Sequence, residues 1–200
     1  GVKMGAQRPV TFGPDEMTRL KEIVLAGKFR SASGGGYRYV ADFGKTYIDD
    51  LVSHAKIKRK LKVVAACGNG TAGAFAPQML ERLGVEVIPM DVNLDYTFPR
   101  YNPNPEDLEM LHAMAAKVRE VGADVGLGFD GDGARCGVVD NNGDEIFADK
   151  IGVMLARDLS KLHPNATFVV DVKSTGLFAS DPVLIANGVK ADYWKTGHSY

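Results

Sequence analysis

From residue 61 onward, short apolar runs alternate with longer amphipathic stretches, and that alternation restricts the chain to a narrow set of folds. The runs at 61–66, 85–90, 121–127, 167–172 and 191–194 read as strands. The stretch at 74–83, the one that begins at Glu106, the one at 148–162 and the one ending at Ala186 carry apolar residues at helical spacing. Strands separated by helices pair in parallel through right-handed crossovers, so the expected class is α/β. The expected architecture is two consecutive three-layer α/β domains with mixed, mainly parallel sheets. The antiparallel element is a hairpin, 136–139 with 145–147, turned by Asn141-Asn142-Gly143.

Upstream, 14–26 reads as a helix that opens on Pro14, Asp15 and Glu16, carries Met17, Leu20 and Val24 on one face and stops at Gly27. A Ser/Gly-rich linker at 31–36 precedes a second amphipathic helix at 37–55, with Tyr47, Ile48, Leu51 and Val52. The expected domains are 1–44, 45–147 and 148–200. In the helix after Glu106, Leu108, Leu111, Ala115 and Val118 are expected inward; in 148–162, Ile151, Leu155, Leu159 and Leu162.

The chain has 200 residues, 45% of them apolar and 24% charged, which suits a soluble globular protein. No run approaches the ~20 apolar residues of a membrane span and no signal peptide opens the sequence, so neither a membrane nor an export route is expected, and the cytoplasm is. A net charge of -1 without a basic block argues against nucleic acid. Cys67 and Cys136 lack metal-site spacing and read as reduced thiols.

The densest chemistry lies in Gly128-Phe129-Asp130-Gly131-Asp132-Gly133-Ala134-Arg135. Asp130 and Asp132, spaced i, i+2 around a glycine, can converge on one hard cation such as Mg²⁺, and Arg135 offers a planar fork for a phosphate. Asp and Gly are equally the ordinary formers of a tight surface turn. A second Gly-rich stretch, Gly68-Asn69-Gly70-Thr71-Ala72-Gly73, opens a helix where amides can cradle a phosphate. It lacks a P-loop lysine and dinucleotide spacing, which favours a structural turn. Asp130, Asp132, Lys173 and His198 all fall at or just after expected strand ends, where open α/β sheets collect ligands.

The Gly-Phe-Asp-Gly-Asp-Gly-Ala-Arg run resembles the metal loop of the α-D-phosphohexomutases, the phosphoglucomutase and phosphomannomutase superfamily, whose usual form is Asp-Gly-Asp-Gly-Asp-Arg. Three further segments are similar to that family: Phe98-Pro99-Arg100-Tyr101-Asn102-Pro103-Asn104-Pro105, Asp171-Val172-Lys173-Ser174-Thr175 and Trp194-Lys195-Thr196-Gly197-His198-Ser199. Gly1-Val2-Lys3 resembles the segment that follows the family's phosphoserine loop. On this resemblance, 1–44 is the end of the phosphoserine-loop domain, 45–147 a second α/β domain holding the metal loop, and 148–200 part of a third.

The resemblance implies an isomerase, a phosphohexomutase that moves a phosphoryl group between the 1- and 6-positions of a glucose or mannose phosphate through a bisphosphate and a phosphoserine. It implies Asp130 and Asp132 as Mg²⁺ ligands, with binding weakened by Ala134, where the family carries a third aspartate. Lys3 and Arg135 are implied to balance phosphate charge, and Lys173 and His198 to contact substrate, one of them exchanging a proton with the sugar hydroxyl. The serine loop, the sugar loop and the last domain have no counterpart in the sequence, so the 200 residues alone are expected to be inactive. Two other readings stand beside this one. Ala134 fits a catalytically impaired sugar-phosphate-binding or scaffold protein, and a strand-end Asp-x-Asp fits a phosphatase with Asp130 as nucleophile, although Gly133-Ala134 supplies no hydroxyl.

Overall fold

β1 (Lys62–Ala66) is the hub of the larger sheet, and its composition explains why: Val63, Val64, Ala65 and Ala66 are all almost completely buried, as a strand covered on both faces must be. The computed structural model describes residues 4–5 and 10–197. Their chain divides into two units, 40–154 and the described residues of 1–39 and 155–200.

In the 40–154 unit, five strands run in the order β2-β1-β3-β4-β5. β2 (Glu86–Met90) and β3 (Val125–Phe129) flank β1 in parallel, while β4 (Cys136–Asp140) and β5 (Glu145–Ile146) continue the sheet antiparallel. Pro89 sits in β2, at the sheet edge, where a missing ladder donor is tolerated. Successive β1 side chains point to opposite faces and build two cores. Val63 and Ala65 pack with Leu80 of α3 (Ala76–Arg82), whereas Val64 and Ala66 pack with Met110, Met114 and Val118 of α4 (Leu108–Val121). The result is a helix–sheet–helix sandwich. α2 (Phe43–His54) packs against α3, with the rings of Tyr47 and Phe75 meeting edge to face.

Glycine makes the α4 side close-fitting. A methyl at Gly126 would lie 2.9 Å from both Met114 Cγ and Val118 Cγ2, so β3 meets α4 through bare backbone. Met114 is fully buried over Gly126 and Gly128. Met114→Ala should lower unfolding free energy by about 2–5 kcal/mol, the ordinary range for truncating a buried long side chain. An unchanged urea midpoint would mean that this core closes over the gap.

In the other unit, α1 (Pro14–Leu25) opens with a proline at its start and the Glu16 carboxylate accepting the Gly13 N–H at 3.0 Å. β6 (Thr167–Asp171) and β7 (Lys190–Trp194) form a parallel pair. α5 (Ala148–Leu162) begins in the first unit and ends in this one. Between β6 and β7 lie two short helices, α6 (Leu177–Ser180) and α7 (Pro182–Ala186), separated by Asp181. One Asp181 oxygen caps α7 by accepting the Val183 and Leu184 N–H groups, and the other accepts Arg157 Nε–H at 2.9 Å. The Arg157 guanidinium holds this carboxyl below its usual range.

The α/β class and a mixed, mostly parallel sheet are as the sequence implies, but several boundaries and faces differ. α2 begins at Phe43 rather than 37, after Asp42 in a left-handed conformation. α4 extends through Val121 and is closed by left-handed Gly122, so β3 starts at Val125 and not at 121. The helix expected up to Ala186 is broken by Asp181-Pro182. On α5 the buried residues are Val153, Ala156 and Ser160, while Leu155, Leu159 and Leu162 are exposed. Ser160 accepts a hydrogen bond from Asn187 at 2.9 Å, and with the Arg157–Asp181 pair this fixes a small, polar face of α5 inward. Leu108 is also exposed, with Met110 and Met114 taking the inward positions. Among the described residues, no helix is long and apolar enough to cross a membrane.

Candidate active-site loops

The acid loop is the tip of a hairpin. β3 and β4 pair antiparallel, Phe129 opposite Cys136, so residues 130–135 turn the chain back on itself instead of leading into a crossover. Asp130 closes the tip. Its Oδ1 accepts the Arg135 backbone N–H at 2.8 Å and its Oδ2 accepts Arg135 Nε–H at 2.9 Å. Its backbone carbonyl accepts the Gly133 N–H at 2.9 Å, with Gly133 at φ +71°. Asp132 is exposed, and its Oδ1 accepts the Ala134 N–H at 3.2 Å.

The 68–73 turn buttresses this tip. Thr71 donates to the Gly131 carbonyl twice, from its backbone N–H at 3.0 Å and its hydroxyl at 3.2 Å. A methyl at Gly70 would meet the same carbonyl at 2.8 Å, so the two loops touch backbone to backbone. From the proline-rich loop, Pro103 O accepts the Gly131 N–H at 3.1 Å, and Tyr101 pins that loop by donating its hydroxyl to Asp91 at 2.7 Å. Thr71 and Pro103 escape a reading of the sequence because they act through backbone partners far away in the chain. The Gly-rich stretch beside Thr71 was the available signal.

Electrostatically the tip is an ion pair with one buried end. Asp130 is 6% exposed. Burial pushes its carboxyl up, but the Arg135 amide, guanidinium and charge together bring it below the ordinary carboxylate value. The stabilisation is therefore full above the unfolded-state pKa and is lost as pH falls through the lower folded value. Asp130→Asn should remove about 1.5–3 kcal/mol at neutral pH, the range for hydrogen bonds to a charged group, and flatten the acid side of the stability profile below about pH 4. A variant that keeps the wild-type acid slope in urea melts would show that another group sets it.

Asp132 and Arg135 border different cavities. Asp132 lies at an apolar one of about 420 Å³ with Tyr47, Phe75 and Phe129, and Arg135 at one of about 510 Å³ with Pro105, Leu108, Cys136 and Phe147.

In the other unit, the loops after β6 and β7 emerge at one end of the parallel pair, where Asp171 faces Trp194 in register. Asp171 Oδ1 accepts the Lys173 N–H at 2.7 Å, while Oδ2 accepts the Thr196 hydroxyl, tying the two loops together. The Tyr193 hydroxyl donates to Thr175 O at 2.9 Å. These bonds leave the Lys173 side chain exposed. Lys3 and His198 lie outside the described residues.

The family described as phosphoglucomutase/phosphomannomutase, alpha/beta/alpha domain II, matches residues 45–143. A phosphomannomutase/phosphoglucomutase from Pseudomonas syringae pv. tomato is 46% identical over 191 residues, covering 94% of this chain and 40% of the relative. The chain belongs to the α-D-phosphohexomutase superfamily. A phosphomannomutase/phosphoglucomutase of Pseudomonas putida is 45% identical over 153 residues, 76% of this chain and 33% of the relative. A solved phosphoglucomutase/phosphomannomutase family protein of Burkholderia thailandensis superposes with a TM-score of 0.87 at 32% identity, covering 96% of this chain and 41% of that one. A Thermus thermophilus structure, 18% identical with a TM-score of 0.67, covers 94% of this chain and 43% of its own and shows the fold alone. The chain thus spans well under half the length of these relatives.

The magnesium ion that the superfamily implies does not fit the donors of this tip as they stand. Both Asp130 oxygens are bonded to Arg135, position 134 carries a methyl group, and the Gly131 carbonyl is taken by Thr71. Among the described residues, no three His, Cys, Asp or Glu side chains converge as a metal site.

Proposed function

We propose that the chain is the section of a phosphohexomutase that receives a glucose or mannose phosphate during reversible phosphoryl transfer between the 1- and 6-positions. In this reading a phosphoserine gives its phosphoryl group to the free sugar hydroxyl, the bisphosphate reorients, and the other phosphate returns to the serine. The observation that carries it is the 46% identity to the Pseudomonas syringae relative, which extends over 94% of the chain.

Phosphoryl transfer depends mostly on positioning and charge neutralisation, and the tip is suited to both. Asp130 holds Arg135 by Nε, which fixes the plane of the guanidinium and leaves its terminal nitrogens for phosphate oxygens. Lys3 adds positive charge. Lys173, presented on a loop braced by Asp171 and Thr196, or His198 exchanges the proton of the sugar hydroxyl. No step is routed through a metal ion.

Titration of the labelled chain with glucose 1-phosphate, followed by amide NMR, should shift resonances at 130–135 and 171–175. Arg135→Ala and Lys173→Ala should each weaken binding about tenfold, equivalent to one charge-assisted contact. Phosphorus NMR should show no conversion to glucose 6-phosphate, because no serine loop is matched in the sequence. An unmoved spectrum overturns the binding role, and turnover overturns the expected inactivity. Ala134 favours a second reading, an impaired sugar-phosphate-binding protein.

A further inference from the structure

We infer that Arg135 is the resident counter-cation of the acid loop, and that in this chain the hairpin tip folds, and stays folded, without a divalent metal at millimolar concentration. The argument starts from charge. Residues 130–135 carry two carboxylates and one guanidinium, which leaves a single net negative charge to attract a small, strongly hydrated dication. Mg²⁺ gives up its water reluctantly and needs several oxygens in near-octahedral array.

The donor geometry points the same way. Asp130, the buried acid, spends one oxygen on the Arg135 amide and the other on its guanidinium, so its charge is already balanced inside the turn. Asp132 spends Oδ1 on the Ala134 N–H and borders a different cavity from Arg135. The Ala134 methyl supplies no oxygen. Nor does the tip hold an acceptor in want of a cation: among the described residues, the buried side-chain polar atom lacking a partner is Asn69 Oδ1, in the neighbouring turn. A tip built to close over a metal would leave its buried carboxylate open, whereas here a positive side chain from the same loop closes it.

The inference is independent of the mutase reading, and its test contains no sugar phosphate. Mn²⁺, a paramagnetic substitute for Mg²⁺, is titrated into the 200-residue chain by electron paramagnetic resonance, and melts are recorded in EDTA and in about 10 mM MgCl₂. A site whose Kd is about a hundredth of the metal concentration would raise the melting temperature by roughly 5–10 °C. The expected result for the wild type is no saturable binding and a shift below about 1 °C. Ala134→Asp, which supplies a third oxygen donor and a further negative charge, should show saturable Mn²⁺ binding, while Arg135→Gln should melt lower and regain part of the loss in MgCl₂. Saturable binding by the wild type, or Ala134→Asp with no gain, overturns the inference. A stable Arg135→Gln indifferent to metal also overturns it. Should that variant not fold, the other two measurements still decide.

Discussion

One added methyl at Gly73 is expected to lower the unfolding free energy by about 3 kcal/mol or more. A Cβ there would stand 2.0 Å from the Val92 carbonyl oxygen and 2.8 Å from its carbon, and these are backbone atoms that no rotamer change can withdraw. Either the segment after β2 or the turn before α3 must shift. That turn carries Thr71, whose two hydrogen bonds hold the Gly131 carbonyl of the acid tip, so the damage spreads from the core to the candidate site. Overpacking by one group ordinarily costs about 1–3 kcal/mol, and the absence of any side-chain escape puts this case at the upper end or beyond. Gly35→Ala is the control, because its methyl meets nothing within 4 Å and should change stability by less than about 0.5 kcal/mol. Equal urea midpoints for the two variants would show that the Gly73 contact relaxes without cost.

The second large effect concerns Ala134. When this chain replaces the matched segment of the Pseudomonas syringae relative, Ala134→Asp should raise glucose 1-phosphate to glucose 6-phosphate conversion by about a hundredfold. A third oxygen donor restores the chance of neutralising a dianionic ester with a metal, which is worth several kcal/mol, and about 2.7 kcal/mol is a factor of a hundred. A gain of this size means that the chain is a mutase section impaired at one position. No gain in a chimera that folds and binds sugar phosphate favours the binding-protein reading, in which catalysis has been lost at more than one place.

What the sequence discloses of fold and site depends on the kind of interaction. The apolar run before Cys67, broken by Lys62, marks β1, but a run without alternation does not say which helix covers which face. Asp130 and Arg135 were legible as a functional pair because they are close in sequence. Their direct bond was not, since it depends on β4 pairing back onto β3, and the hairpin legible in the sequence pairs 136–139 with 145–147 instead. Val121 was assigned to a strand because its hydrophobicity outweighed the Gly122 behind it, the residue that in fact caps α4. The leucines of α5 misled for a related reason. Periodicity weighs size and greasiness, whereas the inward face there is chosen by Arg157 reaching Asp181 and by Asn187 donating to Ser160, contacts between residues more than twenty positions apart.

The hairpin also restricts the ways in which the acid tip can vary between related chains. Gly128 faces Gly137 in the β3–β4 ladder; a methyl on the first would crowd Met110 and Met114, and one on the second would lie 2.7 Å from Pro105 Cβ. A one-residue slip of β4 against β3 would drive Cys136 or Val138 against Pro105 and turn the side chains of β4 to the wrong face. The ladder register is therefore locked, and a methyl at position 134 is an exchange in the tip that leaves it untouched.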